Sequence, residues 1–235
     1  MASLAHRALD VLAGRVEHAY WETPTITDHC LRAFCSLLVA GKMKPALTFT
    51  RLYLSRGAGY ADLAEDLFAA AARRLGDRWT RGKASTVEVN IGILTLTRVH
   101  IALCATRTEP RARIDASALF GTFPGQAHTL GLAFSAEHFH RQGWNVHYMP
   151  GTSIPAFIAA ATRESSEIIG MTAALDRDVV LVQDVIQQLR ALPHKPRIVI
   201  GGSASNLAQL GADAVASRLD VGFLAAHRLL EERAR

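Results

Sequence analysis

The chain has 235 residues, a formal net charge of +5 and 49% apolar residues, enough for one large domain or two small ones with a core that needs no disulfide or metal staple. Its arginines are scattered, and no helix-turn-helix, zinc-finger or RNA-binding signature is present, so the positive charge reads as surface charge and direct nucleic-acid binding is not expected. Cys30, Cys35 and Cys104 form neither a CxxC pair nor a zinc spacing, which suits reduced thiols. With no secretory leader and no run of about 18 apolar residues, the expectation is a cytoplasmic protein without membrane contact.

In chain order, residues 2–19 show helical spacing through Leu4, Ala8, Val11, Leu12 and Val16. After Pro24 a second helical run covers residues 26–41, with Leu31, Phe34, Leu37 and Leu38 on one face and Gly41 as a stop. A third covers 44–55. A fourth covers 60–81, where Leu63, Leu67, Ala71, Leu75 and Trp79 recur every four residues. A fifth spans 85–107 and opens on Ser85 and Glu88 at capping-box spacing. Residues 1–107 are therefore expected to form a helical bundle, and 108–115 a linker.

From residue 116 the pattern changes to short apolar runs alternating with helical ones. Strands are expected at 117–123, 144–149, 167–172, 197–200 and 213–216. Helices are expected at 129–142, 154–164, 177–192 and 204–210, with a last helix starting near Ser217. Five strands alternating with helices predict a parallel, Rossmann-like sheet over residues 116–235, with all strand C-terminal ends on one edge. The fold class is thus α then α/β.

That edge carries the candidate chemistry. A dinucleotide site would need GxGxxG at the first strand-to-helix turn, which instead reads Gly121-Thr122-Phe123-Pro124-Gly125-Gln126; Gly125-Gln126-Ala127-His128-Thr129-Leu130-Gly131 opens the helix that follows. Gly201-Gly202-Ser203 is too short for a phosphate loop with lysine, and neither GxSxG nor HExxH occurs. What remains is a histidine at the first turn, the hydroxyl of Thr172 at the end of the third strand and a glycine pair at the end of the fourth. Neutral imidazole is a common metal ligand, so His128 reads either as the axial ligand of a tetrapyrrole metal or as a polar helix-start residue. Thr172 has the alternative of an ordinary strand-end hydroxyl, and Gly201-Gly202 that of an ordinary tight turn.

A helical cap followed by a Rossmann-like domain with these three features resembles the cobalamin-binding module. The segment Leu75-Gly76-Asp77-Arg78-Trp79-Thr80-Arg81-Gly82, with Ser85 to Gly92, is similar to the cap of the cobalamin-dependent photoreceptors of the CarH type. Val87-Glu88-Val89-Asn90-Ile91-Gly92 together with His128-Thr129-Leu130-Gly131 resembles the AerR/PpaA regulators of purple-bacterial photosynthesis and the related haem-binding sensor domain of AppA.

The resemblance implies a base-off cobalamin (adenosyl-, methyl- or hydroxocobalamin), with His128 as the lower ligand to cobalt. It implies Thr172 near the buried base, Gly201 and Gly202 clearing the path of the nucleotide tail, Gly131 letting the first helix approach that tail, and Trp79 over the upper corrin face. For Trp79, packing between helices is the competing role. Thr129 belongs to the same motif. The methyl-carrying members place an aspartate two residues before the histidine, where this chain has Gln126. A neutral amide could orient the imidazole without raising its basicity as a carboxylate does. This favours a light- or redox-responsive sensor, not an enzyme, whose partner is a transcription factor such as a repressor. A corrinoid carrier in a methyltransferase system and a haem-binding redox or gas sensor stand as alternatives. The sequence leaves the oligomeric state open.

Overall fold

The computed structural model describes residues 25–106, 113–126, 128–203 and 207–233. The expected helix over 2–19 and the first part of the expected linker lie outside the described residues. Helix α1 (Asp28–Val39) starts where Thr27 Oγ1 accepts from the Cys30 N–H at 3.3 Å, a side-chain cap on an otherwise unmet donor. It is followed by α2 (Met43–Ser55). Helix α3 begins as Tyr60–Asp62, widens to π geometry over Leu63–Ala69 and continues as Ala70–Thr80. Helix α4 (Thr86–Cys104) opens on the expected capping box: Ser85 Oγ accepts from the Glu88 N–H at 3.2 Å, and Glu88 accepts from the Ser85 N–H at 2.8 Å. Phe34, Leu38, Leu63, Leu67, Phe68, Leu75, Leu96 and Val99 form the bundle core. Among the described residues α4 alone is long and apolar enough to cross a membrane, yet its face of Gly92, Thr95, Leu96, Val99, His100 and Leu103 is buried inside the bundle.

The second half alternates β1 (Ser117–Gly121), α5 (Leu130–Arg141), β2 (Asn145–Met149), α6 (Ile154–Glu164), β3 (Ile168–Thr172), α7 (Asp176–Arg190), β4 (Arg197–Gly201), β5 (Ala214–Ala216) and α8 (Leu219–Arg233). All pairings are parallel, in the order β2-β1-β3-β4-β5. Strand side chains alternate between two covered faces, as the pleat requires. Leu119, Ile169, Met171, Ile198 and Ile200 meet Phe157, Val182, Val185, Ile186 and Leu189 from α6 and α7. Ala118, Phe120, Ile168 and Val199 meet Leu132, Ala136, Phe139 and Ala226 from α5 and α8.

Two expectations need correction. The first strand ends at Gly121, not residue 123, because Thr122 turns away and its hydroxyl accepts from the Gly151 N–H at 2.9 Å. The helix expected over 204–210 is, among the described residues, only a 3₁₀ turn at Leu207–Gln209. Leu207 and Leu210 are its two buried anchors, and their i, i+3 spacing suits that tighter turn.

The bundle docks on α5 and on the head of α8. Phe134 and Leu219 belong to its core, and Leu130 packs against it. Phe134 lies 5.5 Å from the Phe68 ring and 4.9 Å from the His100 ring. Tyr60 stacks on His138 at 6.5 Å, with the Arg141 guanidinium 4.7 Å above the Tyr60 ring. Glu65, in the π segment, accepts from the Leu219 N–H at 2.5 Å. Leu130 and Leu219 are the first residues of helices that follow strands, so the bundle abuts the C-terminal edge of the sheet.

Phe157 is fully buried, meets Phe123 edge-on at 5.2 Å and covers Gly121, where a Cβ would lie 2.3 Å from the Phe157 ring. Phe157→Ala is expected to lower the unfolding free energy by about 3–5 kcal/mol, measured by urea denaturation.

Candidate functional site

The strand order reverses between β1 and β3, and open parallel sheets bind ligands in the crevice at such a point. The loop after β1 is pinned there by one side chain. Gln126 Oε1 accepts from the Phe123 N–H at 2.9 Å, and Gln126 Nε2 donates to the Thr172 carbonyl at 2.7 Å. Both amide ends are thus committed, which also fixes the orientation of the amide. Gln126 thereby ties the loop after β1 to the end of β3.

Beyond this pin, Gly125 takes φ +89° and His128 stands exposed on the loop. Thr129 occupies the N-cap of α5 without making a side-chain cap bond, so the first turn of this 12-residue helix keeps open backbone donors. A Cβ on Gly131, in that turn, would meet nothing within 4 Å.

Thr172 is buried at the end of β3 and in register with Gly201 of β4. The glycine pair splits into two cases. Gly202 has φ +126°, and a Cβ there would lie 2.2 Å from the Ala173 carbonyl oxygen. The close approach of the loops after β3 and β4 therefore requires glycine at 202 whatever binds. At Gly201 a Cβ would make only an ordinary 3.6 Å contact, to the Ala216 carbonyl. The fold leaves that position, like Gly131, open to a close-approaching ligand.

The structure thus brings Gln126, His128, Thr129, Gly131, Thr172, Gly201 and Gly202 to one sheet edge. Trp79 lies on the bundle. It is 52% exposed, and its Nε1 donates to Thr86 Oγ1 at 3.1 Å, so it is not a core residue. Val87, Ile91 and Leu94 are exposed at i, i+4 and i+7 on one face of α4. Hydrogen bonds from the Ser85 backbone N–H and hydroxyl hold the Glu88 carboxyl below the usual carboxylate range, as its cap role requires.

Among the described residues no group of three His, Cys, Asp or Glu side chains could hold a bare metal ion. A lone exposed imidazole fits a metal whose other positions a macrocycle already fills. The donor, the open first turn and the two unobstructed glycines fit a tetrapyrrole with a tail. Sequence reasoning passed over the buried Tyr60, His100 and His138 and the half-buried Arg141 at the bundle interface. The i, i+4 spacings of His100 with Cys104 and of Glu137 with Arg141 were the available signal.

Comparison with known proteins bears on this edge directly. Residues 116–223 match the family model described as B12 binding domain. That stretch of the chain is similar to B12-binding domains. It is 29% identical over 170 residues to an uncharacterised 20.5 kDa protein in the bchF-crtJ intergenic region of Rhodobacter capsulatus, covering 68% of this chain and 88% of that one. It is 27% identical over 164 residues to dimethylamine corrinoid protein 3 of Methanosarcina mazei, covering 66% and 98%. The monomethylamine corrinoid protein of Methanosarcina barkeri shares the fold, with a TM-score of 0.66 at 14% identity over 85% of this chain and 96% of that one.

Two outcomes follow. Trp79→Ala is expected to cost the cofactor-free protein less than about 1 kcal/mol, against the ~3–5 kcal/mol of a core aromatic, read by thermal unfolding. Gly202→Ala is expected to cost about 1–3 kcal/mol through backbone strain, whereas Gly201→Ala leaves urea stability nearly unchanged.

Proposed function

We propose that this protein is a cobalamin-binding, light- or redox-responsive sensor that acts by protein contact, as an antirepressor-like partner of a transcription factor in photosynthesis gene regulation. The observation that carries the cofactor is the exposed His128 at the β1/β3 reversal of a B12-binding domain. The relative between bchF and crtJ supports the regulatory setting, and the resemblance to the AerR/PpaA regulators supports a cytoplasmic partner protein and no turnover chemistry.

In this reading His128 supplies the lower axial nitrogen. Thr172 and Gly201 border the tail's path, and Gly131 with the open turn of α5 receives its polar groups. Trp79 and the exposed Val87, Ile91 and Leu94 cover the upper face. Bound cobalamin supplies an upper metal–ligand bond that light or redox change can break. The chain's own part is to convert that event into a shift of α5 and the bundle. Such a shift requires differential affinity of the ligand for the two arrangements.

The match to a dimethylamine corrinoid protein favours a second reading, a corrinoid methyl carrier. Against it stands Gln126 itself, a neutral amide at the position where a carboxylate would tune the imidazole.

The test is the absorption spectrum of purified protein loaded with adenosyl-, methyl- or hydroxocobalamin, dark and illuminated. The expected result is a histidine-ligated cobalamin spectrum that changes on illumination. His128→Ala is expected to weaken retention at least tenfold or return the cofactor to its base-on form. Haem-like bands in the purified protein would replace cobalamin by haem. Methyl transfer to and from a methyltransferase, without a light response, would establish the carrier.

A further inference from the structure

The contact between bundle and sheet domain is built from ionisable rings. His100, on α4, is buried, and its Nε2 lies 2.8 Å from the Tyr60 hydroxyl and 3.4 Å from Cys104 Sγ. A neutral imidazole accepts at that nitrogen from the phenol, which a protonated one cannot do; both partners belong to the bundle, and the ring's contact across to the sheet domain is with Phe134. Phe68 of the π segment and Phe134 of α5 pack on the same ring. The charged groups facing it are Glu137 and Arg141 of α5, which are paired with each other at 2.7 Å. His138, on α5, is also buried, between Tyr60 of α3 and Phe223 of α8. The charged groups acting on it are Asp220 of α8 and Arg141. The Arg141 guanidinium lies over the Tyr60 ring that both histidines touch, so a proton on either ring places a second cation beside the first.

We infer that His100 and His138 form a protonation-controlled latch: with both neutral the bundle is docked on α5 and α8, and acidification releases it while each domain stays folded. Among the described residues the two domains have separate cores, joined across the contact by Phe134, Leu219 and the partly buried Leu130. Burial pushes both imidazoles down to about 4 from an ordinary 6.5. The docked state therefore binds fewer protons, and docking weakens as pH falls from 6.5 towards 4. Because the bundle carries Trp79, release would also uncover the sheet edge. That consequence rests on the cofactor reading, whereas the latch does not.

The test uses the full cofactor-free chain, with small-angle scattering and far-UV circular dichroism from pH 7.5 to 4.5. The expected result is an increase in radius of gyration between pH 6 and 4.5 (roughly, from the linkage above) with the dichroism retained. The double variant His100→Gln, His138→Phe keeps an acceptor for Tyr60 and an aromatic ring against Phe223 but takes up no proton. Its expansion is expected at least about one pH unit lower. If it is not folded at pH 7.5, His138→Phe alone is read, with about half that displacement. Glu65→Gln, which keeps an acceptor for Leu219, is expected to leave the midpoint in place. A wild type that stays compact, expansion accompanied by loss of dichroism, or histidine variants that expand at the wild-type pH would each overturn the latch. Cobalamin binding at pH 7.5 is measured separately, so a protein that latches without binding the cofactor refutes the cofactor reading alone.

Discussion

One side chain decides where the candidate ligand stands. Gln126 bridges the N–H of Phe123 and the carbonyl of Thr172, groups that belong to the ends of β1 and β3. These strands are neighbours in the sheet but about 50 residues apart in the chain. Without that bridge the loop after β1 would be an ordinary flexible connection. With it, the residues that follow leave the sheet from a fixed point, and His128 is presented to solvent beside the open first turn of α5. Pre-setting the loop reduces the ordering cost that a ligand would otherwise meet on binding.

The same helix that begins at the candidate ligand ends in the interface with the bundle. α5 places Leu130 and Phe134 against the bundle core and His138 and Arg141 against Tyr60. A 12-residue helix is stiff over this length, so any displacement of its first turn is passed to the bundle without a separate relay. The apolar surface of Trp79, Val87, Ile91 and Leu94 lies on the body that would move.

Much of this was legible in the sequence because it is local. Buried parallel strands read as short apolar runs, and the capping box at Ser85 and Glu88 announces α4 directly. Trp79 shows the limit of periodicity. It continues the stripe of Leu67, Ala71 and Leu75 at the same spacing, yet Leu75 faces Gly92 in the body of α4 whereas Trp79, one turn later, is exposed and bonds Thr86 at the very start of α4. The stripe persists where its partner helix has run out. The role of Gln126 was illegible because its second partner is 46 residues away. Gly201 and Gly202 look alike in sequence and differ only once Ala173 is seen beneath one of them. The interface histidines were hidden because polarity patterns score imidazole as a surface residue, whereas a neutral ring buries like an aromatic one.

Glu65 couples two segments that are far apart in the chain. The last helix, α8, receives at its first turn a carboxylate from a residue 154 positions earlier, and such a cap contributes about 0.5–2 kcal/mol. The head of α8 is thus completed by a group that the bundle supplies, so the stability of this helix is coupled to a segment far from it in the chain.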